Sequence, residues 1–150
     1  MKLRLLVPFV FVLSKLAFAH EVDVNGIREI TVQNNLNVTL EKSKGHRHSL
    51  VPQTVTFERI GNRLILKSNS SELQNVKLYA SDNFRNLRHL TIQDSSSVKA
   101  SYIQTHMLKV VSESSGALML DHVKGVSEIT NHGEGKIEAY WLGLPSIDVI

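Results

Sequence analysis

From Glu21 to Leu66, apolar and polar residues alternate in short runs that small or polar residues interrupt. Ile30 and Val32, then Leu36, Val38 and Leu40, follow the two-residue period of a half-buried strand. Val51, Val55 and Phe57 resume it, and Leu64 and Leu66 answer after Gly61-Asn62. Asn25-Gly26 and Gly61-Asn62 suit tight turns with positive φ. Lys42–His48 and Lys67–Glu72 read as polar loops. No twelve-residue stretch of this region carries an apolar face at helical spacing, so helix is not expected after the first twenty residues.

From Val76 and Leu78, a leading strand, the pattern becomes a repeat. Three eleven-residue windows align: LTIQDSSSVKA from Leu90, VVSESSGALML from Val110 and ITNHGEGKIEA from Ile129. Each opens on an aliphatic residue and meets a second one eight residues later, pairing Leu90 with Val98, Val110 with Leu118 and Ile129 with Ile137. Small residues fill the interval, as a tight corner at a constant height requires: Asp94–Ser97, Ser114–Gly116, Gly133–Gly135. The windows begin 20 and then 19 residues apart, a period that predicts stacked coils. Such coils share one continuous interior because none buries its own apolar face alone. The expected fold is therefore all-β: a short parallel β-solenoid of about three coils preceded by antiparallel N-terminal strands. Ile147–Ile150 reads as the start of a further coil. An open parallel edge is a pairing hazard, so the expectation is that the N-terminal strands cover it or that it serves self-association.

The first residues change the charge argument. Lys2 and Arg4, the apolar run Leu5–Leu13 and the Ala17-Phe18-Ala19 motif are the three parts of a secretory leader. Residues 1–19 are expected to be a signal peptide and 20–150 one domain beginning at His20, against the alternative of a retained N-terminal anchor. The whole chain has net charge +3, but losing Lys2, Arg4 and Lys15 leaves 14 basic against 14 acidic residues. A nucleic-acid partner, which needs a cationic surface to displace counterions, is not expected for a neutral chain. The chain has no cysteine, so disulfides, thiol catalysis and zinc-thiolate sites are excluded.

Catalytic signatures are missing. Gly133-Glu134-Gly135-Lys136 ends like a phosphate loop but has Thr130 for its first glycine and Ile137 for its hydroxyl. Asp94, Glu113 and Glu134 fall at repeat positions five, four and six, where stacked carboxylates would raise a pKa, or would simply be solvated turn residues. His20, His46 and His48 could supply nitrogen ligands to copper, or be solvated. His89, His106, His122 and His132 share no column of the repeat. Neither a metal nor another cofactor is expected. The best site candidate is the thirteenth position, which holds Tyr102, His122 and Trp141, with Ser101, Asp121 and Tyr140 beside them. Three flat rings in a column would form a platform for sugar rings, or would fill the core. Position fourteen (Ile103, Val123, Leu142) is apolar, so one of the two columns faces out. Lys42, Lys44 and Arg47 form a basic loop that would touch anionic envelope groups, or be solvated.

The alternating strands of IREITVQNNLNVTLEKSKG, the GNRLILK return and the LTIQDSSSV and GEGKIEA coils resemble the auto-transporter adhesin head GIN domain family, over Val22 to Val149. The resemblance implies a right-handed β-helix-like fold, export to the bacterial envelope (periplasmic, outer-membrane-associated or secreted) and no catalytic residues to carry over. The chain departs from the family in its serine-rich corners, and 150 residues leave no room for a translocator barrel. The expected role is a non-catalytic surface protein, an adhesin for an envelope glycan or another protein. The alternatives are an assembly component that pairs through its open edge, or a carbohydrate-active enzyme. The leader makes a direct prediction: the exported chain has the mass of residues 20–150, and an intact N-terminus on it would sink the signal-peptide reading.

Overall fold

The computed structural model describes residues 19–45, 48–140 and 148–150, and the side chains of Asp148 and Val149 are outside that description. The expected leader thus lies outside it except for Ala19. The described residues are all β, with no helix. In chain order the strands are β1 (Ala19–Val22), β2 (Glu29–Gln33), β3 (Leu36–Lys42), β4 (Ser49–Pro52), β5 (Val55–Ile60), β6 (Arg63–Ser68) and β7 (Gln74–Ala80). They continue as β8 (His89–Asp94), β9 (Ser97–Ser101), β10 (Gln104–Ser114), β11 (Leu118–Asp121), β12 (Lys124–Asn131), β13 (Ile137–Tyr140) and β14 (Asp148–Val149).

Two large sheets share the core. One runs β14-β12-β10-β8-β2-β6-β5 and the other β13-β11-β9-β3-β7. Every pairing in them is parallel except β5 with β6. The strand pairs β6/β7, β2/β3, β8/β9, β10/β11 and β12/β13 form five successive levels, each giving one strand to each sheet. The repeat windows set the register. Leu90 pairs with Val110 and Val110 with Ile129, while Val98 pairs with Leu118 and Leu118 with Ile137. Val32, Leu36, Val38, Leu40, Leu64, Leu66, Leu78, Val110 and Leu120 are fully enclosed between the sheets.

The N-terminal half corrects the expected arrangement. Among the described strands only β1 with β4 and β5 with β6 are antiparallel; β2, β3, β6 and β7 belong to the parallel stack. Alternation marks a strand but not its partner, and the turn after β2 is a corner, not a hairpin. Asn34 makes that corner at φ 62, a left-handed conformation that asparagine tolerates better than most residues. Among the described residues five levels carry a strand in each sheet where about three coils were expected, and their order is not the chain order. The chain enters the second level, returns to the first through the β5–β6 hairpin, and crosses to the third at β8.

The N-terminal strands cover the end opposite to the expected one. β5 closes the larger sheet beside β6. The β1–β4 ribbon is fastened to β7 by Ser49, whose Oγ accepts the Tyr79 N–H at 2.8 Å. At the far end β13 is the last described strand of its sheet. Ile137 there is only half-buried and Ala139 exposed, although Leu118 and Leu120, their partners one level below, are enclosed.

The corners show why small residues recur. A Cβ on Gly116 would lie 2.2 Å from the Ser96 carbonyl oxygen, and one on Gly133 equally close to that of Ser114. Ser96 and Ser114 are completely buried. Ser114 Oγ donates to the Ser96 carbonyl at 2.5 Å and accepts the Gly116 N–H at 2.9 Å. A Cβ on Gly125, at φ +82, would meet the Thr105 carbonyl oxygen at 2.0 Å, whereas Gly61, at φ +59, has nothing within 4 Å. Gly125→Ala is expected to lose about 2–5 kcal/mol, from left-handed strain plus overpacking. Gly61→Ala should lose only the strain, about 1 kcal/mol. Urea denaturation of both variants checks the order, and equal losses would remove the close-approach argument.

Candidate functional site

The aromatic column stands where the second sheet's strands end. β9 and β11 each finish on a polar residue, Ser101 and Asp121, which are register partners. The next residue turns the chain in a left-handed conformation, Tyr102 at φ 55 and His122 at φ 52. The residue after that, Ile103 or Val123, enters the core with no exposed surface. Position fourteen is therefore the buried column and position thirteen the exposed one. Tyr102 is 62% exposed. Its ring stacks on that of His122, with centroids 4.8 Å apart and planes 11° from parallel. Asp121 Oδ1 lies 2.6 Å from His122 Nδ1 and orients that ring. Trp141 would be the third member, since Asp121 pairs with Tyr140, but it lies outside the described residues.

The column continues in the other direction. Glu41 pairs with Ser101, so Lys42 takes the place beside Tyr102 on the side away from His122. Here the structure unites two candidates that the sequence kept apart, the aromatic column and the start of the basic loop. They line one hollow of about 680 Å³, bounded by Tyr102, by Lys42, Lys44 and Lys99, by Glu41 and Asp121, and by Asn83, Ser101 and Gln104. A neighbouring hollow of about 410 Å³ shares Lys42, Asn83 and Gln104 and adds Asp82 and Arg85. Asn83 and Phe84, between them in the chain's path, are also left-handed, at φ 59 and 56. Strained backbone of this kind collects at binding sites more than elsewhere. Asn83 Oδ1 is buried and has no hydrogen-bond partner among the described residues.

The charges are unequally occupied. Asp82 accepts the Gly26 N–H at 2.9 Å and the Phe84 N–H at 3.1 Å, and Asp121 holds His122. Among the described residues no carboxylate pairs with Lys42, Lys44, Lys99 or Arg85. The groove thus offers a flat ring, unpaired cations and neutral hydrogen-bonding groups.

Among the described residues the other candidates do not assemble. His20 packs edge-on against Phe57 at 6.4 Å, and His48 Nδ1 lies 2.5 Å from Glu21 Oε1. His46 and Arg47 lie outside the described residues. No three potential metal ligands gather among the residues described. Glu113 pairs with Gln93 and Asp94 with Ser114, so these two carboxylates occupy successive register positions and do not stack. Asp94 instead accepts the Asn34 N–H at 3.0 Å. Near the far edge the Glu138 carboxyl is held below its usual range by a hydrogen bond from Lys136, whose amine is raised in return by that bond. This shift is opposite to what a general acid needs. A shallow, open polar hollow at the opposite corner, with Asn34, Ser68 and Asp94, has polar groups that already bond to one another, such as Asn34 Nδ2 to the Ser68 carbonyl at 2.9 Å.

No family model, curated protein or solved structure matches the chain. The site therefore has to be read from its own geometry. Lys99, Asn83 and Gln104 were missed by sequence reasoning. Lys99 was findable, as the outward residue between buried Val98 and Ala100. Asn83 carried no sequence signal.

The stack makes a stability prediction. A double-mutant cycle with Tyr102→Gly and His122→Gly should give a coupling of about 0.5–1.5 kcal/mol. Tyr102→Gly alone should change stability by no more than about 1 kcal/mol, because releasing the left-handed strain offsets the lost contact. A loss of several kcal/mol in that single variant would mean that the ring serves the fold.

Proposed function

We propose that the chain is a short right-handed parallel β-helix, or β-solenoid, of the head GIN kind, and an exported, non-catalytic protein of the bacterial envelope or surface. Its role is that of an adhesin, binding a glycan or a protein ligand along one regular face. The fold reading is supported by five levels stacked in register, and the handedness by the general preference of parallel crossovers. Export is supported by the leader-like start of the sequence. The observation that carries the binding reading is the exposed Tyr102–His122 stack on the wall of a polar groove. The two rings lie face to face, so His122 takes one face of Tyr102 and the other face is offered to a flat partner, a description that a sugar ring fits.

Two other readings have observations behind them. The uncovered face at Ile137 and Ala139 favours an assembly component that adds a strand or a second copy beyond β13. A carbohydrate-active enzyme would need two carboxylates across the groove. Glu41 and Asp121 line it two strand spacings apart, roughly 10 Å along the stack, at the long end of the range for inverting hydrolysis. Asp121 is committed to His122, which favours binding over catalysis.

A glycan array probed with the full chain tests the reading, with Tyr102→Gly and Trp141→Ala beside it and circular dichroism as the control for folding. Binding by the parent that folded variants lose by about tenfold or more supports the platform. Silence from a folded parent moves the function to protein assembly, and release of shortened sugars from a bound glycan would establish the enzyme reading instead.

A further inference from the structure

We infer that the groove is selective for acidic saccharides: a sugar ring lies against Tyr102 while its carboxylate or sulfate is held by Lys42 and Lys99, with Lys44 and Arg85 supplying the surrounding field. This inference rests on the glycan-binding reading above and specifies its ligand. Four observations carry it. The three lysines line the same hollow as the exposed ring, and Arg85 lines the adjoining one. Among the described residues none of these cations has a carboxylate partner, although surface ion pairs form elsewhere in the chain, as between Arg63 and Glu29 at 3.2 Å. Two of the three carboxylates of the groove, Asp82 and Asp121, are already occupied by backbone N–H groups and by His122. Glu41 remains as an acceptor for sugar hydroxyls. The position of Lys42 next to Tyr102 in the column brings a cation to the edge of the ring face.

The physical consequence is a two-part recognition. Stacking on Tyr102 is indifferent to charge, so it sets the requirement for a ring. A charge-assisted bond from a lysine to an anionic oxygen is about twice as strong as a neutral one, so it sets the preference among rings. A neutral sugar would leave the cations solvated but gain nothing from them. An anion without a ring would gain only the screened attraction of exposed lysines.

The test is calorimetric titration of the full chain with tetragalacturonate, a sulfated tetragalactoside, the neutral tetragalactoside of the same linkage, and phosphatidylglycerol vesicles. The expected result is binding of at least one anionic tetrasaccharide about tenfold or more tighter than the neutral one, the loss of roughly one charge-assisted contact. Lys42→Gln and Lys99→Gln should each weaken it about three- to tenfold, and raising salt from about 0.05 to about 0.5 M should weaken it further. Tyr102→Gly should weaken anionic and neutral sugars alike. Comparing the uronate with the sulfate identifies the anion. Equal affinity for the neutral sugar, with both lysine variants unchanged, overturns this inference and leaves the glycan reading standing. No binding of any tetrasaccharide, with a silent array and a folded chain, overturns both. Vesicle binding unaffected by Tyr102→Gly and unmatched by the sugars assigns the lysines to a lipid surface and also overturns the inference.

Discussion

Apart from β5, every described strand of the two large sheets lies on the equivalent strand of a neighbouring level and runs parallel to it. That single constraint governs the rest. Strands pair at about 4.8 Å, so each residue must be compatible with its own column as well as with its neighbours in the chain. At the corner between the sheets the columns run through backbone, and there is no space for a side chain. Gly116, Gly133 and Gly135 are needed because the carbonyl oxygens of Ser96, Ser114 and Gly116 lie where their Cβ atoms would be. Serine is the other solution. Ser96 and Ser114 accept complete burial because each hydroxyl meets a backbone carbonyl of the adjacent level. The serine-rich corners are then a way of satisfying buried carbonyls that glycine would leave to water or to each other.

The same spacing makes the candidate site. Tyr102 and His122 point away from the interior, where their column is free of backbone, and the 4.8 Å between their rings is the spacing of the strands themselves. The stack therefore requires no adjustment from either side chain beyond the left-handed turn that sends Ile103 and Val123 inward. Strain at φ 55 and 52 is the cost of placing a large residue where asparagine or glycine would rest more easily. A corner needed only for turning would not require rings, which is what favours the proposed ligand over a purely structural stack.

How much of this was legible in the sequence follows from the period. The 20-residue spacing gave the pairing of Leu90, Val110 and Ile129 and of Val98, Leu118 and Ile137. It also showed that one of the columns at positions thirteen and fourteen faces out, but whether the ring column faces solvent or core came only from the burial of Ile103 and Val123. It could not give the levels built from β2, β3, β6 and β7. These are strongly alternating segments, but β2 pairs with β8, where Ile30 meets Leu90, across the whole β4–β7 excursion. Nothing local announces a partner that far along the chain. For the same reason Lys42 looked like the start of a solvated loop. It joins the groove only because β3 lies against β9, which brings Glu41 to Ser101. The expected carboxylate stack failed on a finer point. Asp94 and Glu113 differ by one repeat position, and in a strand one position reverses the face.

The ends of the stack give the site a direction. β5 and the β1–β4 ribbon close the side of the first level, and the second sheet reaches outward to β13 on the other. Along the outward column the described order from the closed side is Lys42, Tyr102, His122. Charge thus lies toward the covered end and aromatic surface toward the uncovered one. On the proposed glycan reading, a polymer following the column would meet cations at one end and rings at the other, and so would be read in one orientation. Glu41, Ser101 and Asp121 are fixed side by side by the backbone ladder, and Lys42 ends the same strand as Glu41, while Lys44 and Asn83 stand on connecting segments. The strand-borne part of the groove is therefore held by the core beneath it, which is the condition for many weak contacts to add along a repetitive ligand.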